Sequence, residues 1–129
     1  MKCFLGGTCN NSTWREKLIP LLKIDYFNPV VEDWTPAHQA REIIERKNCD
    51  YCLYVITPRM KGVYSIAEAS VDTCVKKNTI FCVLEEDGGL TWDVSQKKSL
   101  DAVSKLLKEN GAICLNSLNE IAEFLNKMK

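Results

Sequence analysis

The chain alternates short apolar runs with longer stretches in which apolar residues recur every three or four positions. Lys2 to Leu5, Asp25 to Phe27, Tyr51 to Ile56, Thr79 to Leu84 and Ala112 to Leu115 read as strands. Gly6-Gly7 stops the first of these, and Asn28-Pro29 closes the second. Trp14, Leu18, Leu21 and Leu22 mark a helix that Pro20 ends or kinks. Thr13-x-x-Glu16 in front of it has the form of a capping box. Thr35-Pro36 is a strong start for a second helix, after a loop from Val30 to Trp34. Its predicted inward stripe is Ala37, Ala40, Ile43 and Ile44, with Arg41, Glu42, Glu45 and Arg46 outward or along its edge. Ile66, Ala69, Thr73 and Cys74 share one face of a third helix running to about Lys77. Leu100, Val103, Leu106 and Leu107 predict a fourth, stopped at Asn110-Gly111. Leu118, Ile121, Leu125 and Met128 predict a fifth, capped by Ser117-x-x-Glu120. Leu90 to Ser99 has no clear period.

Short apolar strands alternating with amphipathic helices mean a parallel sheet covered on both faces. The expectation is one domain over residues 1–129, a three-layer, flavodoxin-like α/β fold with a five-stranded parallel sheet.

Composition narrows the function classes. Seventeen basic and seventeen acidic side chains balance, and no basic block stands out, which argues against polymeric nucleic acid as a partner. No run of about eighteen apolar residues occurs, so no membrane span is expected. The apolar segment at the N-terminus is too short for a signal peptide, and a cytoplasmic setting is the expectation. The seven cysteines are odd in number and scattered, mostly within apolar runs, which argues against a disulfide framework. Cys49-x-x-Cys52 has no second pair, and His38 is the only histidine, so neither metal nor cofactor is expected.

The candidate chemistry lies where strands end. In an open α/β sheet, ligands bind outside the carboxyl ends of the strands. Gly62-Val63-Tyr64-Ser65-Ile66-Ala67-Glu68 follows the third strand and opens a helix, which places Glu68 in such a position. Ser65-x-x-Glu68 is also a capping box, so spacing alone favours reading Glu68 as a helix cap. Gly6 and Gly7 are either a tight turn or a close backbone approach to a ribose or phosphate. They lack the Gly-x-Gly-x-x-Gly form of a dinucleotide site. Asn10, Asp33 and Trp34 follow the first two strands; Asp33 also suits a plain turn, and Glu42 a solvated helix carboxylate.

Taken in order, these blocks resemble the nucleoside 2-deoxyribosyltransferase-like family. Phe4-Leu5-Gly6-Gly7 with Trp14-Arg15 resembles its first strand and following helix. Phe27-Asn28-Pro29 with Asp33-Trp34 resembles its second block. Glu42 falls where the family has an acidic residue, and Gly62-x-x-x-Ile66-x-Glu68 resembles its nucleophile segment. The match spans about Lys2 to Leu84, and departs in following Glu68 with Ala69-Ser70 where a Leu-Gly or similar small pair is usual.

The resemblance implies Glu68 as a carboxylate nucleophile that expels the base of a nucleoside or nucleotide and forms a covalent glycosyl-enzyme. Asp33 and Glu42 would then complete the catalytic shell. Gly6, Gly7, Asn10, Trp14, Asn28, Trp34 and Gly62 would contact substrate. It further implies a homo-oligomer, with a neighbouring subunit contributing to the site. A short chain suggests an open pocket, which favours water over a second base as acceptor. The alternative is a non-catalytic nucleotide-binding or sensing module on the same fold. An NAD-like N-glycosidic substrate is a related option by analogy with TIR domains. A response-regulator receiver is disfavoured, because Gly6-Gly7 stands where its acidic pair would follow the first strand.

Overall fold

The computed structural model describes residues 1–128. Strands β1 (Lys2–Gly7), β2 (Asp25–Phe27), β3 (Tyr51–Ile56) and β4 (Thr79–Val83) come first. A two-residue hairpin follows, β5 (Glu86–Asp87) with β6 (Leu90–Thr91), and the last strand is β7 (Ile113–Leu115). The helices are α1 (Trp14–Leu18), α2 (Pro36–Asn48), α3 (Tyr64–Cys74), α4 (Val94–Glu109) and α5 (Leu118–Asn126). The main sheet is wholly parallel in the order β2-β1-β3-β4-β7. This is the flavodoxin-like order, whose reversal at β1 and β3 creates a crevice at their carboxyl ends.

Strand alternation supplies both cores. Cys3, Leu5, Leu53, Val55, Ile80 and Cys82 point to the face covered by α1 and α5, where Trp14, Leu18, Ile121 and Leu125 are buried. Phe4, Cys52, Tyr54, Ile56 and Phe81 point the other way, against Ala69 of α3 and Leu100 and Leu107 of α4. Each fully buried aliphatic side chain contributes about 1.5–3 kcal/mol, so the central strands dominate the fold's stability.

Four local expectations are corrected. Gly6 and Gly7 do not stop β1; they are its last two residues. A Cβ on Gly6 would stand 2.7 Å from the Tyr54 ring, and one on Gly7 would stand 2.1 Å from the Val55 carbonyl oxygen. Gly7 also has φ +122°, so glycine is required by the approach of β3. Thr13 precedes α1 without a side-chain cap bond. Helix α4 begins six residues before Leu100, at Val94, because Asp93 and Gln96 form a reciprocal capping box.

The fourth correction concerns α2. Thr35 caps it as expected, accepting from the His38 amide at 3.1 Å. Its Ile43 and Ile44, however, are 62% and 57% exposed, and no α2 residue is fully buried. His38, Glu42, Glu45 and Arg46 are the half-buried positions instead. The helix turns its polar side toward the molecule.

Candidate active site

Helix α3 starts at Tyr64 with Val63 as N-cap and no side-chain cap bond. Ser65 therefore lies inside the helix, and its hydroxyl cannot form the box that would occupy Glu68. Glu68 sits in the second turn, its side chain only 13% exposed, on the wall of a cleft of about 400 Å³. Gly6 and Gly7 also line this cleft, at the carboxyl end of β1. Glu42 reaches it from α2, and Trp34 and Tyr64, both largely exposed, stand at its edge.

Behind Glu68 lies a polar network that the apolar patterning of β3 concealed. Arg46 Nε is 3.5 Å from Glu68 Oε2, while Arg46 Nη2 donates to the Glu68 carbonyl at 3.3 Å. The same guanidinium pairs with Asp72 at 2.7 Å. Tyr54, buried in β3, donates its hydroxyl to Asp72 at 2.6 Å and accepts from Arg46 Nε at 3.0 Å. A buried Tyr hydroxyl needs such a partner, which is the signal in the sequence that could have revealed the network. Its consequence is that Arg46, Tyr54 and Asp72 fix the turn of α3 that carries Glu68.

Burial pushes the Glu68 carboxyl up to about 7, against the pull of Arg46, and the Glu42 and Asp72 carboxylates push it the same way as burial. Burial also works against the Arg46 charge, but Tyr54 and Asp72 more than compensate and hold its pKa above the usual guanidinium value. Glu68 is thus poised to change charge near neutrality, the range in which a carboxylate serves in acid, base or nucleophilic steps.

The other expected residues divide. Asn28 and Asn10 line a neighbouring polar cavity, and Gly62 lines a smaller one beside Tyr64 and Ser65. Trp14 does not line the cleft; it is buried in the core and donates its indole N–H to the Thr8 carbonyl at 2.9 Å. Asp33 is exposed, precedes α2 and is not part of the cleft wall. The structure therefore brings Glu68, Glu42, Gly6, Gly7 and Trp34 together and leaves Asp33 and Trp14 outside.

A larger cleft, about 600 Å³, lies between the β5–β6 hairpin and α4. Lys97 there already pairs with Glu85 and Asp101, and Trp92 donates to the Leu84 carbonyl. Lys97 thereby ties α4 to the residue just before the hairpin. Among the described residues no cluster of His, Cys, Asp or Glu could hold a metal ion, Cys49 and Cys52 included. No helix is long and apolar enough to cross a membrane.

A family model described as nucleoside 2-deoxyribosyltransferase like matches residues 1–86. The chain belongs to that family. The matched part carries β1, β2 and β3, all of α3, and every residue of the Glu68 cleft. No curated protein and no solved structure gives a significant match.

Proposed function

We propose that this nucleoside 2-deoxyribosyltransferase-like protein cleaves the N-glycosidic bond of a deoxyribosyl nucleoside or nucleotide, with Glu68 as nucleophile. A Glu68 oxygen attacks the anomeric carbon as the bond to the base breaks, giving a covalent glycosyl-Glu68. A second base or water then attacks the same carbon and releases the carboxylate, so the configuration is retained overall. Glu42 is assigned to proton exchange with the base, and Trp34 and Tyr64 to stacking against it. Asp33 reaches a bound nucleoside in this reading only through movement of the loop before α2.

The observation that carries the reading is a half-buried carboxylate, free of its own helix cap, facing a cleft floored by Gly6 and Gly7. The openness of the cleft's edge at Trp34 and Tyr64 supports water as acceptor. Seven free thiols fit a reducing, cytoplasmic setting for a single domain of 129 residues. The exposed apolar residues of α2 and α3 support a homo-oligomer.

Incubation with deoxynucleosides and deoxynucleotides, with and without a second base, should give free base or exchanged product. Mass spectrometry of a stalled reaction should find a sugar adduct on Glu68, and Glu68→Ala should abolish turnover. Turnover that survives in Glu68→Ala would remove the assignment. The pairing of Glu68 with Arg46 favours a second reading, a non-catalytic nucleotide-binding or sensing module. That reading requires ligand binding with no base released by the wild type.

A further inference from the structure

Asp87 is a buried carboxylate that the chemistry proposed at Glu68 does not use. It is 8% exposed and ends β5, just before the two-residue turn Gly88-Gly89. Both glycines have positive φ, +59° and +86°, as a hairpin turn of this length requires. A Cβ on Gly88 would collide with the Arg59 guanidinium, so the turn is seated against that side chain. The family match ends at residue 86, which leaves the turn just beyond it.

The partners of Asp87 lie on two separate loops. Its Oδ2 accepts from the Ser12 hydroxyl at 2.5 Å, on the loop after β1. Its Oδ1 lies 3.5 Å from Arg59 Nε, on the loop after β3, and Arg59 Nη2 donates to the Gly88 carbonyl at 3.4 Å. Burial opposes the Asp87 charge, but the Ser12 and Thr57 hydroxyls and the Arg59 charge outweigh it and hold the carboxyl below its ordinary range. Two direct bonds also join the loops. The Thr57 amide donates to the Thr8 hydroxyl at 3.0 Å, and the Asn10 side chain donates to the Arg59 carbonyl at 3.4 Å. Both are neutral, and charge-assisted bonds are roughly twice as strong, so Asp87 is the dominant link. The gap between the loops is a cavity of about 210 Å³ that adjoins the Glu68 cleft, with Gly7, Cys9, Tyr64 and Ser65 lining both.

We infer that Asp87 is a positioning residue for the ligand: by tying Ser12 and Arg59 to one point, it sets the gap between the two loops beside the cleft. The inference rests on the reading of the Glu68 cleft as a nucleoside site and adds a determinant of affinity to it. Glu68 itself is held by a different set, Arg46, Asp72 and Tyr54. Among the described residues, no hydrogen bond or ion pair joins that set to Asp87, Ser12 or Arg59. One network sets the nucleophile, and the other sets the walls that receive the ligand.

The test compares Asp87→Ala with the wild type on the common deoxynucleosides and their 5′-monophosphates. Steady-state turnover gives kcat and KM, and calorimetric titration in the Glu68→Ala background gives Kd without turnover. KM and Kd should rise about tenfold, the scale of a lost charge-assisted contact. In contrast, kcat should stay within about twofold, the mark of a contact made equally in ground and transition states. The pH limb near 7 should not move, because Glu68 keeps its own partners. Ser12→Ala and Arg59→Gln each cut one arm and should each raise Kd in part. Neither should add to the effect of Asp87→Ala, since both act through that carboxylate. Without any ligand, hydrogen exchange at residues 9–12 and 60–63 should quicken together in Asp87→Ala, with β1 and β3 unchanged. Unchanged Kd in Asp87→Ala or in both single-arm variants, additive losses, or a shifted pH limb would overturn the inference and leave the Glu68 assignment standing. A wild type that binds none of these ligands would remove the nucleoside reading and this inference with it.

Discussion

Glu68 is held between opposing influences, and its pH behaviour follows from them. Burial raises its carboxyl to about 7 while Arg46 lowers it. A nucleophile must be ionised, so kcat/KM should climb with pH along a limb centred near 7. Arg46→Gln removes the lowering influence and should move that limb upward by about one pH unit or more. Arg46→Lys keeps the charge and should restore it in part, whereas Glu42→Gln should move the limb down. A limb that stays in place in Arg46→Gln would show that Arg46 only packs. Stability carries the same sign. The folded state holds this proton more tightly than the unfolded chain, whose carboxyl titrates near 4.5. The contribution is fully present below about 4.5 and is lost as pH rises through about 7. Glu68→Gln stays neutral, so its unfolding free energy should lack that decline between the two values. Denaturant melts of both proteins across the range would measure the difference.

Among the elements, strand alternation was legible and helix orientation was not. The apolar runs located the five strands of the main sheet and their order of appearance, because burial on both faces leaves few polar positions to mislead. In α2 the apolar residues Ile43 and Ile44 suggested the inward side, yet Arg46 and Glu42 take it. A site beneath a helix can impose its own polar pattern, and periodicity alone cannot distinguish that from a solvated face. The Asp93-x-x-Gln96 box was readable, but the sparse apolar residues around it hid the start of α4. Gly6-Gly7 looked like a stop because glycine weakens strands; the cause of both glycines is β3, far away in sequence. That contact makes a direct prediction. Gly7→Ala combines a positive φ with a clash against Val55 and should cost at least about 2 kcal/mol. The melting temperature should then fall by about 6 °C or more. A Cβ at Gly62 meets nothing within 4 Å, so Gly62→Ala should melt within about 2 °C of the wild type. Parallel thermal melts of the two variants would check the contrast.

At the scale of the whole molecule, the two helices that frame the cleft also carry exposed apolar surface. Arg46 joins α2 to α3 through Asp72, so the pair is held together from within. Outward, Ile43 and Ile44 on α2, Val71 on α3 and Val75 just after it are each more than half exposed. Tyr64, 74% exposed, extends this surface to the edge of the Glu68 cleft. Such a surface favours association, and the proposed homo-oligomer would cover it with the same helices of a second copy. Sedimentation of the wild type should then give a dimer or larger species. Ile43→Glu combined with Val71→Glu should shift it to monomer, since a charge on each helix is desolvated only in the assembly. Both positions face water in the single chain, so its secondary structure should persist. Because Tyr64 and Trp34 leave the cleft open in one copy, turnover should fall together with assembly in this variant and depend on protein concentration in the wild type. A wild type that sediments as a monomer at every concentration tested would remove the oligomer from the proposal and leave the cleft of one chain to carry turnover by itself.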